Sequence, residues 1–285
     1  MNSHNRPIWL HWAKSKVVDA NWGDALNPVL VSYLAQRPVL HAKELPSGTE
    51  ESIYSAIGSH LSKSNANWTV WGTGFIDSAD TIKAAPREIA AVRGPLSRRK
   101  LQELDVDCPE IFGDAAIFFP CMHQPPREVR WELGVIQHVR EAGVVPLPAQ
   151  DEFLSVKVID ITGELTAVID EITSCRRIVS SSLHGIIASH SFGVPATWVK
   201  FSDKPVGDGF KFKDYWASVG RFDIEPFIPT AETTMKDLAA LRSPIANAID
   251  TDKLIAACPF IDDDRRAEIS SQMRGQYRMH EIVGQ

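Results

Sequence analysis

Cysteine is scarce in this sequence. Cys108, Cys121, Cys175 and Cys258 are spread over 285 positions, and no two stand in a C-x-x-C pair. That spacing excludes a zinc knuckle and a disulfide scaffold, and it predicts a reducing compartment. Positive charge is not in excess either. The formal net charge is -6, so no global basic field draws the chain to nucleic acid. No apolar run approaches the ~18 residues of a membrane span. The opening MNSHNRPIWLHWAKSK is no secretory signal, because His and Trp interrupt its short apolar stretch. Repeats and low-complexity tracts are missing. A soluble, cytoplasmic protein is expected, with docking at the inner face of the cytoplasmic membrane left open. No metal site and no bound cofactor are expected.

The chain is long enough for two cores. Short apolar runs alternate with helix-like stretches, which predicts an α/β fold. Strands are expected at Pro7 to Trp12, Ile53 to Gly58, Thr69 to Trp71 and Ile89 to Val92. Asn21-Trp22-Gly23-Asp24 reads as a turn before a helix over Ala25 to Leu34, where apolar residues recur at helical spacing. Arg93-Gly94-Pro95 ends one strand and opens a helix over Leu96 to Leu104, since proline suits the first helical position. Pro125-Pro126 and their polar neighbours mark a domain boundary. A second cycle then starts with strands at Leu133 to Gln137, Val144 to Leu147 and Val156 to Ile161. The resulting picture is two doubly wound, Rossmann-like domains, 1–124 and 125–285, facing a cleft. The second ends in a helical tail. Ligands bind such sheets at the carboxyl ends of strands.

The most informative stretch is RIVSSSLHGIIASHSFGVPATWV, Arg177 to Val199. A strand through Ser180 gives way to a helix from Leu183, with Ser181 or Ser182 as its cap. His184 then lies in the first helical turn, beside unpaired N–H groups and the positive dipole end, where an anion binds well. Two readings stay open on spacing alone. His184 moves protons at an anion site, or it fills a strand–helix corner. Arg93 holds the matching position in the first half, and a guanidinium suits carboxylate or phosphate. Asp24 is either a first-turn acid or a base toward a hydroxyl. Gly74, in the Gly72-Thr73-Gly74 run, could admit a ligand to the backbone. That run is no G-x-G-x-x-G, so a nicotinamide site is not supported. His60 and His190 read as structural. Trp9, Trp12, Trp22, Trp68 and Trp71 read as core, with one or two free to line a sugar.

Taken in order, these pieces resemble the polysaccharide pyruvyl transferase family. NWGD, VWGTGF, AVRGPLSRRKL, GDAAIFFP, LGVIQH, VSSSLHGIIASHSFGVPATWV and KFKDYW carry the resemblance over most of Ile8 to Trp216. The RGP and SSLHG segments are the most specific. The resemblance implies a GT-B-like fold and transfer of pyruvate from phosphoenolpyruvate, as a ketal, to a terminal hexose of an exopolysaccharide repeat unit. The acceptor would be a lipid-linked oligosaccharide, and phosphate would leave. It implies donor-site roles for Arg93 and His184 and a weaker one for Asp24, with Asp114 a second candidate carboxylate. Ser181, Ser182, Leu183, Gly185 and Gly74 are expected around the donor. Two departures stand out. Ser182 occupies a place where many relatives have Arg, so Lys200, Lys204, Lys211 or Arg177 must supply charge. Gln137 stands where relatives often have Pro. The rival expectations are a glycosyltransferase using a nucleotide sugar and a non-catalytic glycan-binding assembly protein.

Overall fold

The structure is a computed structural model that describes residues 6–14, 21–150, 152–243 and 249–283, with side chains described to residue 275. Its strands form two separate parallel sheets. The first holds β1 (Ile8–Leu10), β2 (Val39–His41), β3 (Ile53–Ser55), β4 (Trp68–Trp71) and β5 (Glu88–Ala91), in the order β2-β1-β3-β4-β5. The second holds β6 (Leu133–Ile136), β7 (Val156–Ile159), β8 (Ile178–Ser180) and β9 (Ala196–Trp198), in the order β7-β6-β8-β9. Parallel pairing needs crossovers, so within each sheet every strand leaves at the same edge. The segments that follow those carboxyl ends meet between the two sheets.

Two expectations change, and one strand, β2, is additional to those expected. The Asn21 to Asp24 stretch is no free turn, because helix α1 (Trp22–Ala35) already begins at Trp22. Its Trp22 N–H donates to Ile161 O at 3.1 Å and its indole N–H to Leu165 O at 3.1 Å, so the second half of the chain fixes the helix start. Residues 144–147 form no strand. Val144 is 65% exposed, and Val145 O is taken by the Gln137 side chain at 2.9 Å instead of a ladder partner. The short strand β2 carries no alternating pattern that would announce it.

Helices α3 (Leu165–Thr173) and α4 (Leu183–Ser191), α1 and a 3-10 turn (Ala115–Cys121) fill the space between the sheets. Trp22 meets Phe119 edge-on at 5.3 Å, and Phe119 reaches Phe192 at 6.4 Å. One continuous apolar core therefore joins both halves. Trp22, Trp68 and Trp71 lie in the buried interior as expected, and Trp12 packs on His41. Helices α2 (Pro95–Gln102) and α5 (Phe210–Ser218) pack on each other beside the cleft, and α6 (Met235–Ala240) covers the second sheet.

Chain order assigns the tail to the second domain, but it packs on the first sheet. Helix α7 (Thr251–Ala256) offers Leu254 O to the Trp71 indole at 2.9 Å, and Phe260 stacks edge-on against Tyr54 and Trp71. On α8 (Asp263–Val283), Arg265 donates to Tyr33 O and Leu34 O, while Ile269 and Met273 are buried. Each such apolar side chain contributes about 1.5–3 kcal/mol on burial. Tyr277 and Arg278 lie outside the described side chains. Among the described residues, no helix is long and apolar enough to cross a membrane.

Candidate active site

The segment after β8 does not cap α4 in the expected way. Ser182 sits at the N-cap position, yet its side chain makes no cap bond. Ser180 Oγ accepts from Ser182 N at 3.0 Å and donates to Ser182 O at 2.9 Å. Ser181 Oγ donates to the buried Glu141 carboxylate and accepts from His138 N at 2.9 Å. The serines thus brace the corner against the neighbouring β6 loop. The first-turn N–H groups of α4 are left without a side-chain acceptor beside a cleft that Ser182, Leu183 and His184 line.

His184 is 8% exposed. A Cβ added to Gly23 would lie 2.1 Å from its Nδ1, so the ring rests on the start of α1. Its Nε2 lies 4.0 Å from Asp114 Oδ2, just beyond hydrogen-bond reach, and both atoms are buried without a partner. The other oxygen, Asp114 Oδ1, accepts from Ala116 N at 3.0 Å and fixes the start of the 3-10 turn. Burial pushes the His184 pKa down, against the pull of Asp114 and Asp24. Burial pushes the Asp114 pKa up, against His184 and the Ala116 N–H. Both groups therefore favour neutral forms, and a small approach would let one proton pass between them.

Asp24 is 6% exposed and lines the same cleft. Its Oδ2 accepts from Asn21 Nδ2 at 3.0 Å, and its Oδ1 lies 3.7 Å from His60 Nε2. His60, read from sequence as structural, is thus a cleft residue. So is His138, whose imidazole burial pushes down to about 3, with Lys211, Arg140 and His184 adding to the shift. The signal for both was present, since each lies in the segment that follows the carboxyl end of a strand, as His184 does. His190 keeps a structural place, with Nδ1 2.9 Å from the Tyr215 hydroxyl.

The glycines serve different ends from those expected. A Cβ on Gly74 would lie 2.6 Å from Arg93 Cζ, so Gly74 makes room for a side chain of the protein itself. A Cβ on Gly185 would meet Ser180 Oγ at 2.5 Å and Ile136 Cγ2 at 3.0 Å, so Gly185 lets α4 pack on its sheet. Arg93 does not open on the cleft. It is fully buried, and its N–H groups go to Asp214 Oδ2 (3.1 Å from Nε, 3.0 Å from Nη2), Ser59 Oγ (2.6 Å), Phe75 O (2.5 Å) and, more weakly, Gly58 O (3.4 Å).

Of the four candidate cations, three are engaged elsewhere or stand outside. Arg177 precedes β8, at the opposite edge of the sheet, and pairs with Glu132. Lys200 pairs with Asp203 at 2.5 Å. Lys204 is exposed and lines neither of the two cavities at this edge. Lys211 lines the cleft, together with the exposed Lys63 and Arg140. Asp24 is the one carboxylate among the residues lining it, so cations are in excess. The cleft has a volume of about 350 Å³ and adjoins a second cavity of about 450 Å³, with Lys211 and Val206 in the shared wall.

A cationic cleft holding histidines and a carboxylate at the carboxyl ends of parallel strands defines a ligand-binding α/β protein. Residues 70–203, from β4 to just past β9, match the family model described as polysaccharide pyruvyl transferase. An uncharacterized protein, L143, of Acanthamoeba polyphaga mimivirus is 33% identical over 231 residues, covering 77% of this chain and 77% of its own length. The succinoglycan biosynthesis protein ExoV of Rhizobium meliloti (strain 1021) is 28% identical over 213 residues, 70% of this chain and 62% of that protein. No solved structure matches. The chain belongs to the polysaccharide pyruvyl transferase family and is a transferase by that membership.

Proposed function

We propose that the chain moves pyruvate from phosphoenolpyruvate onto a terminal hexose of an exopolysaccharide repeat unit, as a ketal, with release of phosphate. The observation that carries this reading is His184, set between Gly23 and Asp114 at the start of α4 in a cation-rich cleft. Phosphoenolpyruvate bears a carboxylate and a phosphate, and both suit free helix N–H groups and cations. In the proposed reaction C3 takes a proton and C2 becomes oxocarbenium-like. An acceptor hydroxyl bonds to C2, the C2–O bond to phosphate breaks, and a second hydroxyl closes the ketal. The two protons lost by the hydroxyls balance the proton gained at C3 and the one taken by phosphate. His184 transfers a proton through Nδ1 while Asp114 faces Nε2. Asp24, in the cleft wall, deprotonates or orients the acceptor hydroxyl.

The two sheets, in this reading, are the centres of two Rossmann-like domains in a GT-B-like arrangement, dividing near residue 125, with the tail crossing back to the first. The acceptor is a lipid-linked oligosaccharide presented at the inner face of the cytoplasmic membrane. The test is to incubate the protein with phosphoenolpyruvate and lipid-linked or nitrophenyl hexosides, then search by mass spectrometry for the ketal while measuring phosphate release. Ketal formation with matching phosphate supports the reading. Thermal stabilisation by a nucleotide sugar alone, with no phosphate released from phosphoenolpyruvate, overturns it.

A further inference from the structure

We propose that Lys211 supplies the cation that grips the anionic donor in the cleft, and that the Arg93–Asp214 pair is the frame that holds it in place. This rests on the reading of the cleft as a phosphoenolpyruvate site. Lys211 and Asp214 stand three residues apart on α5, so they share a helix face. Asp214 is fully buried and anchored on every side. Its Oδ1 accepts from Ser97 N at 2.8 Å, and its Oδ2 accepts from Ser97 Oγ at 2.7 Å and from Arg93. Ser97 N lies in the first turn of α2, whose N-cap position is held by Gly94, a residue with no side chain. Asp214 therefore caps α2 from another helix, which is why the two helices cannot slide. A Cβ on Gly94 would lie 1.9 Å from Asp214 O, so the contact requires a glycine there. Arg93 extends the frame to Gly58 O and Ser59 Oγ, in the wall of the cleft.

Lys211 itself is 9% exposed and has no carboxylate partner among the described residues. Its ammonium makes one long hydrogen bond, 3.3 Å to Val206 O. An ammonium has three donors, and burying it with one weak acceptor is costly. A phosphate or carboxylate oxygen in the cleft would satisfy the other two. Lys63 and Arg140 are exposed, so water already solvates their charges, and screening leaves them little hold on an anion. Arg93 cannot serve, because protein acceptors occupy its N–H groups. Its role is positioning.

The surroundings of Lys211, Arg93 among them, also set its charge state. Burial pushes its pKa down to about 8, Arg93 and Arg140 act in the same direction, and Asp24 opposes them. His138 and His184 face it as well, and each is pushed down by its charge. In the free protein Lys211 is a cation below pH 8 and loses its proton as pH rises above it. Donor affinity must then fall at high pH, where phosphate is already fully ionised.

The experiment is calorimetric titration of phosphoenolpyruvate, and separately of inorganic phosphate, from pH 6.5 to 9.5. It uses the wild-type chain, Lys211→Met and Lys211→Arg, each checked for folding by circular dichroism and melting. Loss of one charge-assisted contact corresponds to about 10–100-fold in Kd. Lys211→Met should lose that factor below pH 8, and Lys211→Arg should bind with no decline above pH 8, since a guanidinium does not titrate there. Wild-type binding that Lys211→Met leaves unchanged overturns the assignment and spares the donor reading. Wild-type failure to bind both probes overturns the donor reading and this one with it. Ser97→Ala, which loosens the frame without changing any charge, should raise the pH at which affinity declines, as Lys211 gains access to water. An unmoved profile in a folded variant overturns the positioning role.

Discussion

The imidazole of His184 occupies the space that a side chain on Gly23 would need, with Nδ1 2.1 Å from the position of that missing Cβ. The glycine of one half of the chain and the histidine of the other thus define a single piece of the site. Gly23→Ala should force the ring from its place between Gly23 and Asp114 and put Nδ1 out of line with the donor. A misplaced proton-transfer group costs about 10²–10⁴ in rate. The expected result is a fall of that size in turnover with a modest drop in melting temperature. Phosphate-release kinetics and a thermal melt check it, and near wild-type turnover counts against a role for the ring position.

His184→Ala and Asp114→Asn should differ. The first removes the proton carrier, so turnover should drop about 10²–10⁴-fold. The second keeps the shape and removes the partner that faces Nε2, so it should lower turnover less and alter its pH profile below neutrality. Steady-state rates between pH 5.5 and 8 separate the two outcomes. Identical profiles for Asp114→Asn and wild type would detach Asp114 from the chemistry.

Arg93 and Asp214 are 121 residues apart and form a fully buried ion pair. Removing one partner leaves a charge buried alone, at a cost of about 3–5 kcal/mol. Asp214→Ala should therefore shift a urea unfolding midpoint strongly downward. Arg93→Lys should also destabilise, because an ammonium cannot reach acceptors spread around a planar fork. A sequence-only view makes that substitution a donor-affinity change; burial makes it a folding change first. Unfolding midpoints close to wild type would contradict this.

Acid should weaken the fold in a defined window. Burial pushes the His138 pKa down to about 3 and the His190 pKa down to about 4, each from 6.5. Below pH 6.5 the unfolded chain takes up protons that the folded chain refuses. Stability is thus complete above pH 6.5 and is lost as pH falls toward 4, by about 1.4 kcal/mol per pH unit for each such proton. Urea unfolding at pH 7, 6, 5 and 4 tests the slope. A flat series would contradict it.

Removing residues 251–283 should expose Trp71 and Tyr54, the partners of Phe260, on the first sheet. The shortened chain should aggregate or bind a hydrophobic dye, although it retains both sheets in full. A soluble, cooperatively melting product would show that the first sheet needs no such cover.

Much of the frame was legible locally. Glycine-ended runs announced β3 and β4, and the serine–leucine–histidine step announced the start of α4. The structure puts Asp24 and His184 in the cleft wall, where the resemblance implies roles for them and spacing alone leaves two readings open. What escaped depended on partners distant in sequence. Gly74 looked open to a ligand because the side chain that fills its space comes from Arg93, and the carboxylate beside it comes from Asp214 on another helix. Residues 144–147 had strand-like composition, but the Gln137 amide captured Val145 O. Ser181 looked like a cap, but a buried Glu141 claims its hydroxyl. No short window of sequence contains such pairings.

The crossing of the tail has a consequence for synthesis. Helices α7 and α8 close the first sheet, yet they are translated after every strand of the second. Domains generally fold as units, with the amino-terminal portion first as the chain emerges. Here the earliest-made half waits with Trp71 uncovered, while the later half can finish ahead of it. Protection of the nascent chain by chaperones should accordingly matter most for the half that leaves the ribosome first.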